Sequence, residues 1–489
     1  MPIQNPYSRF FLFFAFGFVL LFLAFSSAVY IPYTNHDSIR YFHKFYNHQS
    51  DGLIYPQYNY EYNLGRPLAA ELDEFLYRHI QHLSDMSTLR FLVITSFALS
   101  VALLATVAVA QGISWLQAFG LSVAIFTLPG IEDFIFVPYI ANALAILVAL
   151  LGNLLLLKSL KYHVHWLLAV ICLLISFCLY PPSTLFFLVP SAMGCLLASH
   201  ENKIPKIALR DFMLWVLVAG SYYLILRGLF YAQIKSSGHE ISFSFKQLVG
   251  FALAFIPQAT PQIFNFWNVY WSAILGASIL LFISVFILFD CWVAKNTGIK
   301  RWGIFIVLFL ATNLTWFLFD GYDPREYIAS QGLGLICLYW AGLQVLNLLK
   351  LAKEWMPSAW LVLLLVVGLF MSNQLITLNV LNNYSELMFV RSRIAQYVNT
   401  STSEIHIIWL KSRNRGYNGL PTIYDNINST VRDYEIPDLI RVALKDMGQP
   451  FELHCIITYS NLGETYSVHP DAVIINMNDL DYISSPQRI

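Results

Sequence analysis

The sequence is poor in charge and in the short motifs that mark soluble enzymes. Charged residues make up 12% of its 489 residues, against about 25% in a typical soluble domain. Basic and acidic residues balance at 29 each, so the net charge is zero and nothing favours nucleic acid as a partner. Heptad repeats, a Walker loop and a GxGxxG motif are absent. The six cysteines show no CxxC and no metal-ligand spacing, which argues against a zinc site or a disulfide framework.

Long apolar runs are what the sequence has in abundance. Hydrophobic residues make up 57% of it and the mean hydropathy is +0.58, which predicts a polytopic α-helical membrane protein embedded in a lipid bilayer. Runs close to the roughly 20 residues of a membrane span predict about eleven helices. These are 10–31, 91–111, 113–130, 138–157, 166–180, 183–199, 212–232, 269–291, 303–320, 329–349 and 359–380. The first run exceeds the core of about 7–15 residues of a signal peptide, so it is expected to remain as an uncleaved helix.

The charges of the predicted loops give the orientation. With eleven spans, four basic clusters fall on the side of the N-terminus, as the positive-inside rule requires of the cytoplasmic face. The clusters are Lys158 with Lys161, Lys203 with Lys206 and Arg210, Lys295 with Lys300 and Arg301, and Lys350 with Lys353. The N-terminus is therefore predicted to be cytoplasmic and the C-terminus to lie outside.

The same topology predicts two domains. Residues 1–380 would form the transmembrane domain, with a long first outer loop at 31–90, and residues 381–489 an outer α/β domain. The loop is expected to carry interfacial helices, because "DSIRYFHKF" and "GRPLAAELDEFLYRHI" place apolar residues at helical spacing. The tail shows strand patterns in "EIHIIWL", "ELHCIITYS" and "AVIINM", and helical patterns at 385–398 and 436–446.

The stretch "NHDSIRY" places Asp37 directly after the first predicted helix, in an outer loop rich in charge. This layout resembles the type C glycosyltransferases (GT-C), polytopic enzymes that use a lipid-phosphate sugar donor and place a catalytic acid at that position. The segments "NHDSIRYFHKF" and "NLGRPL", together with the outer tail, resemble one branch in particular. That branch is the glucosyltransferase II family of phage-encoded, serotype-converting enzymes, which modify bacterial O-antigen. The resemblance in layout covers most of the chain, although the motifs are short.

The resemblance implies that Asp37 is the catalytic base. Sugar transfer from a polyprenyl phosphate needs a base that takes the acceptor hydroxyl proton, and a carboxylate at the membrane edge can reach such a donor. The alternative is that Asp37 caps the amphipathic helix that follows, since aspartate is a preferred N-cap residue. His36 is a candidate substrate-binding residue that would tune this carboxylate, with a purely structural role as its alternative.

The stretch "GIEDF", on an outer loop predicted at 131–137, supplies Glu132 and Asp133. Many GT-C enzymes have a second acidic residue in this region, which makes both side chains candidate catalytic residues. The alternative is a solvated turn that follows "PG" at 129–130. A divalent cation, Mg²⁺ or Mn²⁺, would fit if these carboxylates converge with Asp37. The spacing requires no metal, and no metal ligand is assigned.

Arginines of the outer loops are the candidates for the donor phosphate. Arg66, Arg325 and Arg40 are assigned to it, because the planar guanidinium matches phosphate oxygens bidentately. At Arg66, Gly65 allows close backbone approach and Pro67 can begin a helix whose N-terminus faces an anion.

Around Arg325, the stretch "DGYDPREY" adds Tyr322 and Asp323 as candidate substrate-binding residues. The alternative for Arg325 is a salt bridge to Asp323 or Glu326, or snorkelling of its side chain at the helix end.

The function implied by the resemblance is an inverting transfer of glucose, or another hexose, from a polyprenyl-phosphate donor to lipid-linked O-antigen repeats. It would take place on the periplasmic face of the bacterial inner membrane. A lipid-sugar flippase or polysaccharide transporter is the alternative, and it predicts polar groups along the bundle interior. A membrane scaffold is a third reading, which leaves the acidic loops unexplained.

Overall fold

A computed structural model describes most of the transmembrane region and part of the C-terminal domain. The described residues are 5–33, 61–62, 65–80, 82–158, 163–198, 204–236, 263–264, 266, 272–313, 327–350, 355–398, 402, 404–409, 436–447, 456–461 and 469–477. Seven described helices are long and apolar enough to cross a membrane, or eight if one bent pair counts as a span. The prediction of a polytopic helical membrane protein is confirmed at this level, and the count of eleven stays a prediction.

The helices of the first half pack around one central helix. The elements are α1 (Pro6–Tyr30), α2 (Pro67–Tyr77), α3 (Met86–Ala110), α4 (Trp115–Ile125), α5 (Pro129–Phe136), α6 (Ile140–Lys158), α7 (His163–Leu179) and α8 (Val189–Leu197). A 3-10 helix, Pro181–Phe187, begins at the proline pair that the sequence marks as a helix break. The central helix is α3, most of whose side chains are buried, and it contacts α1, α4 and α6.

The helices described in the second half of the membrane region are longer. These are α9 (Ile204–Ser236), α10 (Ser272–Thr312), α11 (Ile328–Leu348) and α12 (Met356–Tyr397). The loop expected between spans 269–291 and 303–320 is a break at one residue, Lys295, whose φ is 46°. An ion pair from Arg301 to Asp290 joins the two halves of α10, and the Trp302 indole donates to the same carboxylate at 2.8 Å.

The third predicted span, 113–130, corresponds to the bent pair. Helices α4 and α5 meet at 56° across the break at Phe126, Thr127 and Leu128, and Pro129 begins the second helix. Proline favours the first helical position because its missing N–H is not needed there. Helix α12 approaches this break closely, since a Cβ added at Gly368 would lie 2.7 Å from the Thr127 hydroxyl oxygen.

The C-terminal elements are β1 (Glu404–Trp409), α13 (Ile436–Asp446), β2 (Ile456–Asn461) and β3 (Val473–Asn476). The described strands form a parallel sheet in the order β2-β1-β3, with Ile405 opposite both Ile457 and Val473. Helix α13 has the bounds predicted from the sequence. The helical pattern predicted at 385–398 is not a separate helix but the end of α12, so the domain boundary predicted at 380 lies inside one continuous helix.

Asp446, the last residue of α13, attaches the C-terminal domain to the membrane helices. One carboxylate oxygen accepts a hydrogen bond from the backbone N–H of Leu83 at 3.0 Å, and the other pairs with Arg391 of α12. The end of the segment between α1 and α3 and the C-terminal domain therefore lie on the same side of the bundle. We call this side, which also carries Tyr30, Phe136 and Tyr180, the C-domain side.

Asp446→Ala is expected to loosen the domain without disturbing the bundle. The change leaves the Leu83 N–H and the Arg391 guanidinium without their acceptor, a loss of about 2 kcal/mol for a largely buried charge pair. Limited proteolysis should then cleave between α12 and β1 faster than in the wild type. Asp471→Ala, at a carboxylate of the same domain that is 77% exposed, should leave the cleavage rate unchanged. Equal rates for the Asp446 variant and the wild type would contradict the assignment.

Candidate functional site

Six of the predicted site residues lie outside the described residues. They are His36, Asp37 and Arg40 in the first outer loop, and Tyr322, Asp323 and Arg325 between α10 and α11. Their predicted roles stay predictions. The structure describes Glu132, Asp133 and Arg66, together with the residues that surround them.

Glu132 and Asp133 lie on α5 and are buried, with 2% and 8% of their surfaces exposed. The expected outer loop at 131–137 is therefore wrong, and so is its alternative as a solvated turn. Every residue of α5 is buried among α1, α3, α6, α11 and α12. Hydropathy alone cannot show this burial, because the contacts that enclose the two carboxyl groups come from helices distant in sequence.

Ser372 of α12 connects Glu132 to the break between α4 and α5. Its hydroxyl oxygen lies 2.5 Å from Glu132 Oε1 and 3.1 Å from the carbonyl oxygen of Thr127. The second oxygen of Glu132 is buried and has no hydrogen-bond partner among the described residues. A buried carboxyl group with one free oxygen is costly to keep unless it serves a purpose or carries a proton.

Arg90 fixes the point at which the chain leaves α1. Its side chain is fully buried, and its guanidinium donates to the carbonyl oxygens of Ala28 at 3.3 Å and Tyr33 at 2.9 Å. The same guanidinium lies 3.7 Å from the centre of the Tyr33 ring, a cation–π contact. The arginine thus holds both the last turn of α1 and the first residues beyond it.

Tyr33 joins this exit point to α5. Its hydroxyl donates to the carbonyl oxygen of Phe136 at 3.5 Å. Burial raises the pKa of Tyr33, the Arg90 charge lowers it and the negative charge of Asp133 raises it, which places Asp133 in the same electrostatic neighbourhood. Asp37 follows Tyr33 by four residues, so chain connectivity keeps their α-carbons within about 14 Å. The exit from α1 thus connects the acidic helix α5 to the segment that carries Asp37.

Arg66 lies at the N-terminus of α2, where the sequence predicts a helix start. Gly65 has a φ of 76°, a conformation that favours glycine, and its carbonyl oxygen accepts a hydrogen bond from the Tyr222 hydroxyl of α9. The Arg66 guanidinium pairs with Glu61 at 3.2 Å and lies 4.6 Å from the centre of the Tyr180 ring. About a quarter of the side chain is exposed.

The Tyr180 ring connects Arg66 to the acidic helix. It packs edge to face against Phe134, with 6.1 Å between ring centres, and Phe134 follows Asp133 directly. Two of the predicted groups, the α5 carboxyl groups and the Arg66 guanidinium, are thereby brought to one region on the C-domain side. The chemistry available there is acid–base catalysis beside a cation that can bind phosphate.

Asp73 of α2 is a member of this region that the sequence analysis did not select. It is 4% exposed. Burial raises its pKa well above the usual range and the Glu61 charge raises it further, while the Arg66 charge lowers it. A carboxyl group with a raised folded-state pKa stabilises the fold when protonated, and this contribution is lost as the pH rises through that pKa.

Asp73→Asn is therefore expected to remove a pH dependence. The wild-type protein should melt at lower temperature in mildly alkaline than in mildly acidic buffer. The variant, which mimics the protonated acid, should vary less and be the more stable of the two at neutral pH. Thermal melts in detergent at several pH values measure this, with Glu71→Gln, an exposed site on the same helix, as the control. A variant less stable than the wild type at every pH would instead indicate an ionised Asp73 paired with Arg66.

A polar face of α12 is the second feature that the sequence analysis missed. Ser372, Asn379, Asn383 and Glu386 are all buried and recur at spacings of three, four and seven residues, which places them on one side of the helix. This spacing is the signal that could have identified them. The hydropathy window ends near residue 380, and the residues beyond it were assigned to a soluble domain.

Metal binding receives no support from the part of the chain that the structure describes. Within it, no three histidine, cysteine, aspartate or glutamate side chains are grouped so that they could hold an ion. The cation considered above depends on Asp37 and stays a prediction.

The comparisons with known proteins add no relationship. No protein-family model matches the chain, and no curated protein matches it in sequence. Functional inference therefore depends on the site itself and on the layout of the sequence.

Proposed function

We propose that the protein is a membrane glycosyltransferase that moves glucose, or another hexose, from a polyprenyl-phosphate donor to lipid-linked O-antigen repeats with inversion. The observation that carries the proposal is the Tyr33 link. It joins the chain segment that leads to Asp37 with a buried acidic helix, at the end of α1 and on the C-domain side. A lipid-linked donor presents its reacting carbon at this level, because its tail remains in the bilayer.

The proposed step is one displacement at the anomeric carbon. Asp37 takes the proton of the acceptor hydroxyl, whose oxygen forms the new bond to the sugar while the bond from the sugar to the phosphate oxygen breaks. The phosphate leaves on the polyprenyl lipid, and Arg66, with Arg40 and Arg325, stabilises its charge. His36, Tyr322 and Asp323 would contact the sugars, and the C-terminal domain would hold the glycan acceptor.

The distribution of charge favours an enzyme over a flippase. The described aspartate, glutamate, lysine and arginine side chains lie towards the ends of the membrane helices. Arg90 lies in the first turns of α3, and Asp211, which bonds Asn153, Ser191 and Arg210, lies near the start of α9. Between these levels the buried polar side chains of the described helices, such as Ser100 and Ser122, are uncharged. A transporter of polar sugars needs charged or strongly polar groups at mid-membrane depth. The proposed location is the bacterial inner membrane, with the N-terminus cytoplasmic and the C-terminal domain periplasmic.

The test is transfer by the purified protein. Protein reconstituted in liposomes is incubated with polyprenyl-phosphate-glucose and lipid-linked O-antigen acceptors, and the glycan is analysed by mass spectrometry. A mass increase of one hexose per repeat is expected. Movement of labelled lipid-sugar between leaflets without a new glycosidic bond would contradict the proposal and favour the flippase.

A further inference from the structure

One hydroxyl group, that of Ser372, connects the broken span α4–α5 to α12. The number of protons available for its two contacts indicates the protonation state of Glu132. Ser372 Oγ lies within hydrogen-bond distance of two acceptors, Glu132 Oε1 and the carbonyl oxygen of Thr127. A serine hydroxyl carries a single proton. If Glu132 were ionised, the Ser372 hydroxyl could donate its proton to only one of these two oxygens. The other oxygen would then face a lone pair of Ser372 Oγ, with no hydrogen between the two atoms.

A protonated Glu132 supplies the second proton that the two contacts need. The carboxylic acid donates to Ser372 Oγ, and the Ser372 hydroxyl donates to Thr127 O, so each contact holds one hydrogen. The remaining Glu132 oxygen is then a neutral carbonyl. Leaving a neutral acceptor without a partner costs far less than leaving a buried charge without one.

The surroundings of Glu132 offer no charge that would favour its ionised form. Among the described residues, no basic side chain forms an ion pair with it, and the neighbouring charge of Asp133 is also negative. The elements packed on α5 carry several ionisable groups on the C-domain side. The charged ones are Arg90, Glu386, Arg391 and Arg393, and the tyrosines are Tyr30, Tyr33, Tyr139, Tyr327, Tyr384 and Tyr397. Each of the three arginines contacts other groups: Arg90 donates to the carbonyl oxygens of Ala28 and Tyr33, Arg391 pairs with Asp446, and Arg393 lies over the rings of Phe389 and Tyr397.

We propose that Glu132 is protonated at neutral pH and, with Ser372, is a positioning residue that fixes α5 and the direction of its neighbour Asp133. The protonated state follows from the hydrogen-bond count and is independent of any reaction. The consequence for catalysis rests on the proposed function. Within it, Glu132 does not serve as the base, and the acid–base role on α5 belongs to Asp133.

Infrared difference spectroscopy tests the protonation state. Spectra of the wild-type protein and of Glu132→Gln are recorded in lipid nanodiscs at neutral pH and subtracted. The wild type is expected to show the carbonyl stretch of a protonated carboxyl group that the variant lacks. Loss of the two carboxylate stretches instead would overturn the proposal. Glu71→Gln, at an exposed site, is the control and should remove carboxylate stretches only.

Two further variants test the positioning role. Glu132→Gln should keep transfer within a few-fold of the wild type, because its amide N–H can also donate to Ser372. Ser372→Ala should shift the frequency of the carboxyl band and lower transfer roughly tenfold, the equivalent of one lost hydrogen bond. Ser385→Ala, which removes a hydroxyl of α12 bonded to Leu381 O, should change neither.

The outcomes separate this inference from the proposed function. Abolished transfer in Glu132→Gln, with the protonated band present in the wild type, would make Glu132 a direct proton donor and overturn the positioning role. Absence of transfer by the wild-type protein would contradict the proposed function alone, because the infrared band would still report whether Glu132 is protonated.

Discussion

Replacing Asp37 with asparagine is expected to lower the rate of sugar transfer by roughly a hundredfold to ten-thousandfold, the contribution of a general base. Asparagine has the same shape as aspartate but cannot take the proton of the acceptor hydroxyl. It caps a helix about as well as aspartate does. The substitution therefore removes the catalytic role and keeps the capping role, which distinguishes the two interpretations of "NHDSIRY".

The measurement is the initial rate of glucose transfer per amount of folded protein, judged by its elution from a sizing column in detergent. The same change at Asp51, fourteen residues further along the first loop, serves as the control and should leave the rate near that of the wild type. Wild-type transfer by Asp37→Asn would show that Asp37 only caps a helix. Asp133 would then be the next carboxylate to test.

Arg90→Met is expected to destabilise the protein by about 2–5 kcal/mol and to lower transfer further than the loss of folded protein explains. Methionine fills a similar volume but leaves the carbonyl oxygens of Ala28 and Tyr33 without their donor. The Tyr33 ring also loses the guanidinium that packs on it. Because Tyr33 precedes Asp37 by four residues and contacts α5, its displacement should disturb the carboxylates of both Asp37 and Asp133.

Thermal melts in detergent and transfer rates per folded molecule measure the two effects. Arg78→Met provides a matched control, because the Arg78 side chain is 54% exposed and its partner Glu74 lies on the same helix surface. That variant should melt within a few degrees of the wild type. An Arg90 variant with an unchanged melting temperature would contradict the role assigned to this buried side chain.

Local signals in the sequence predicted those parts of the fold that local interactions decide. The proline at 67 begins α2, the glycine before Arg66 adopts the left-handed conformation, and α13 spans 436–446 as its apolar spacing predicts. Hydropathy also located the apolar cores of the membrane helices. In each case the physical cause lies within a few residues of the element itself.

The site depends on contacts that no local pattern reports. Glu132 and Asp133 resemble a solvent-exposed loop in any hydropathy window, and their burial depends on α12, whose Ser372 lies 240 residues further along the chain. Arg90 resembles the charged flank of a span, yet it is fully enclosed, because two carbonyl groups accept hydrogen bonds from it and an aromatic ring packs on it. Tertiary partners thus determine both the burial and the chemistry of these side chains.

The length of α12 has a consequence for the reach of the C-terminal domain. Its 42 residues correspond to about 63 Å of helix, roughly twice the thickness of the hydrocarbon core. The helix is therefore long enough to extend well beyond the bilayer, and it ends beside the sheet. A sugar chain bound to that sheet would be held at a set height above the lipid surface. The distance between the sheet and the bilayer would then determine which repeat of a long polymer reaches the membrane edge. The identity of the sugars in that repeat would not matter.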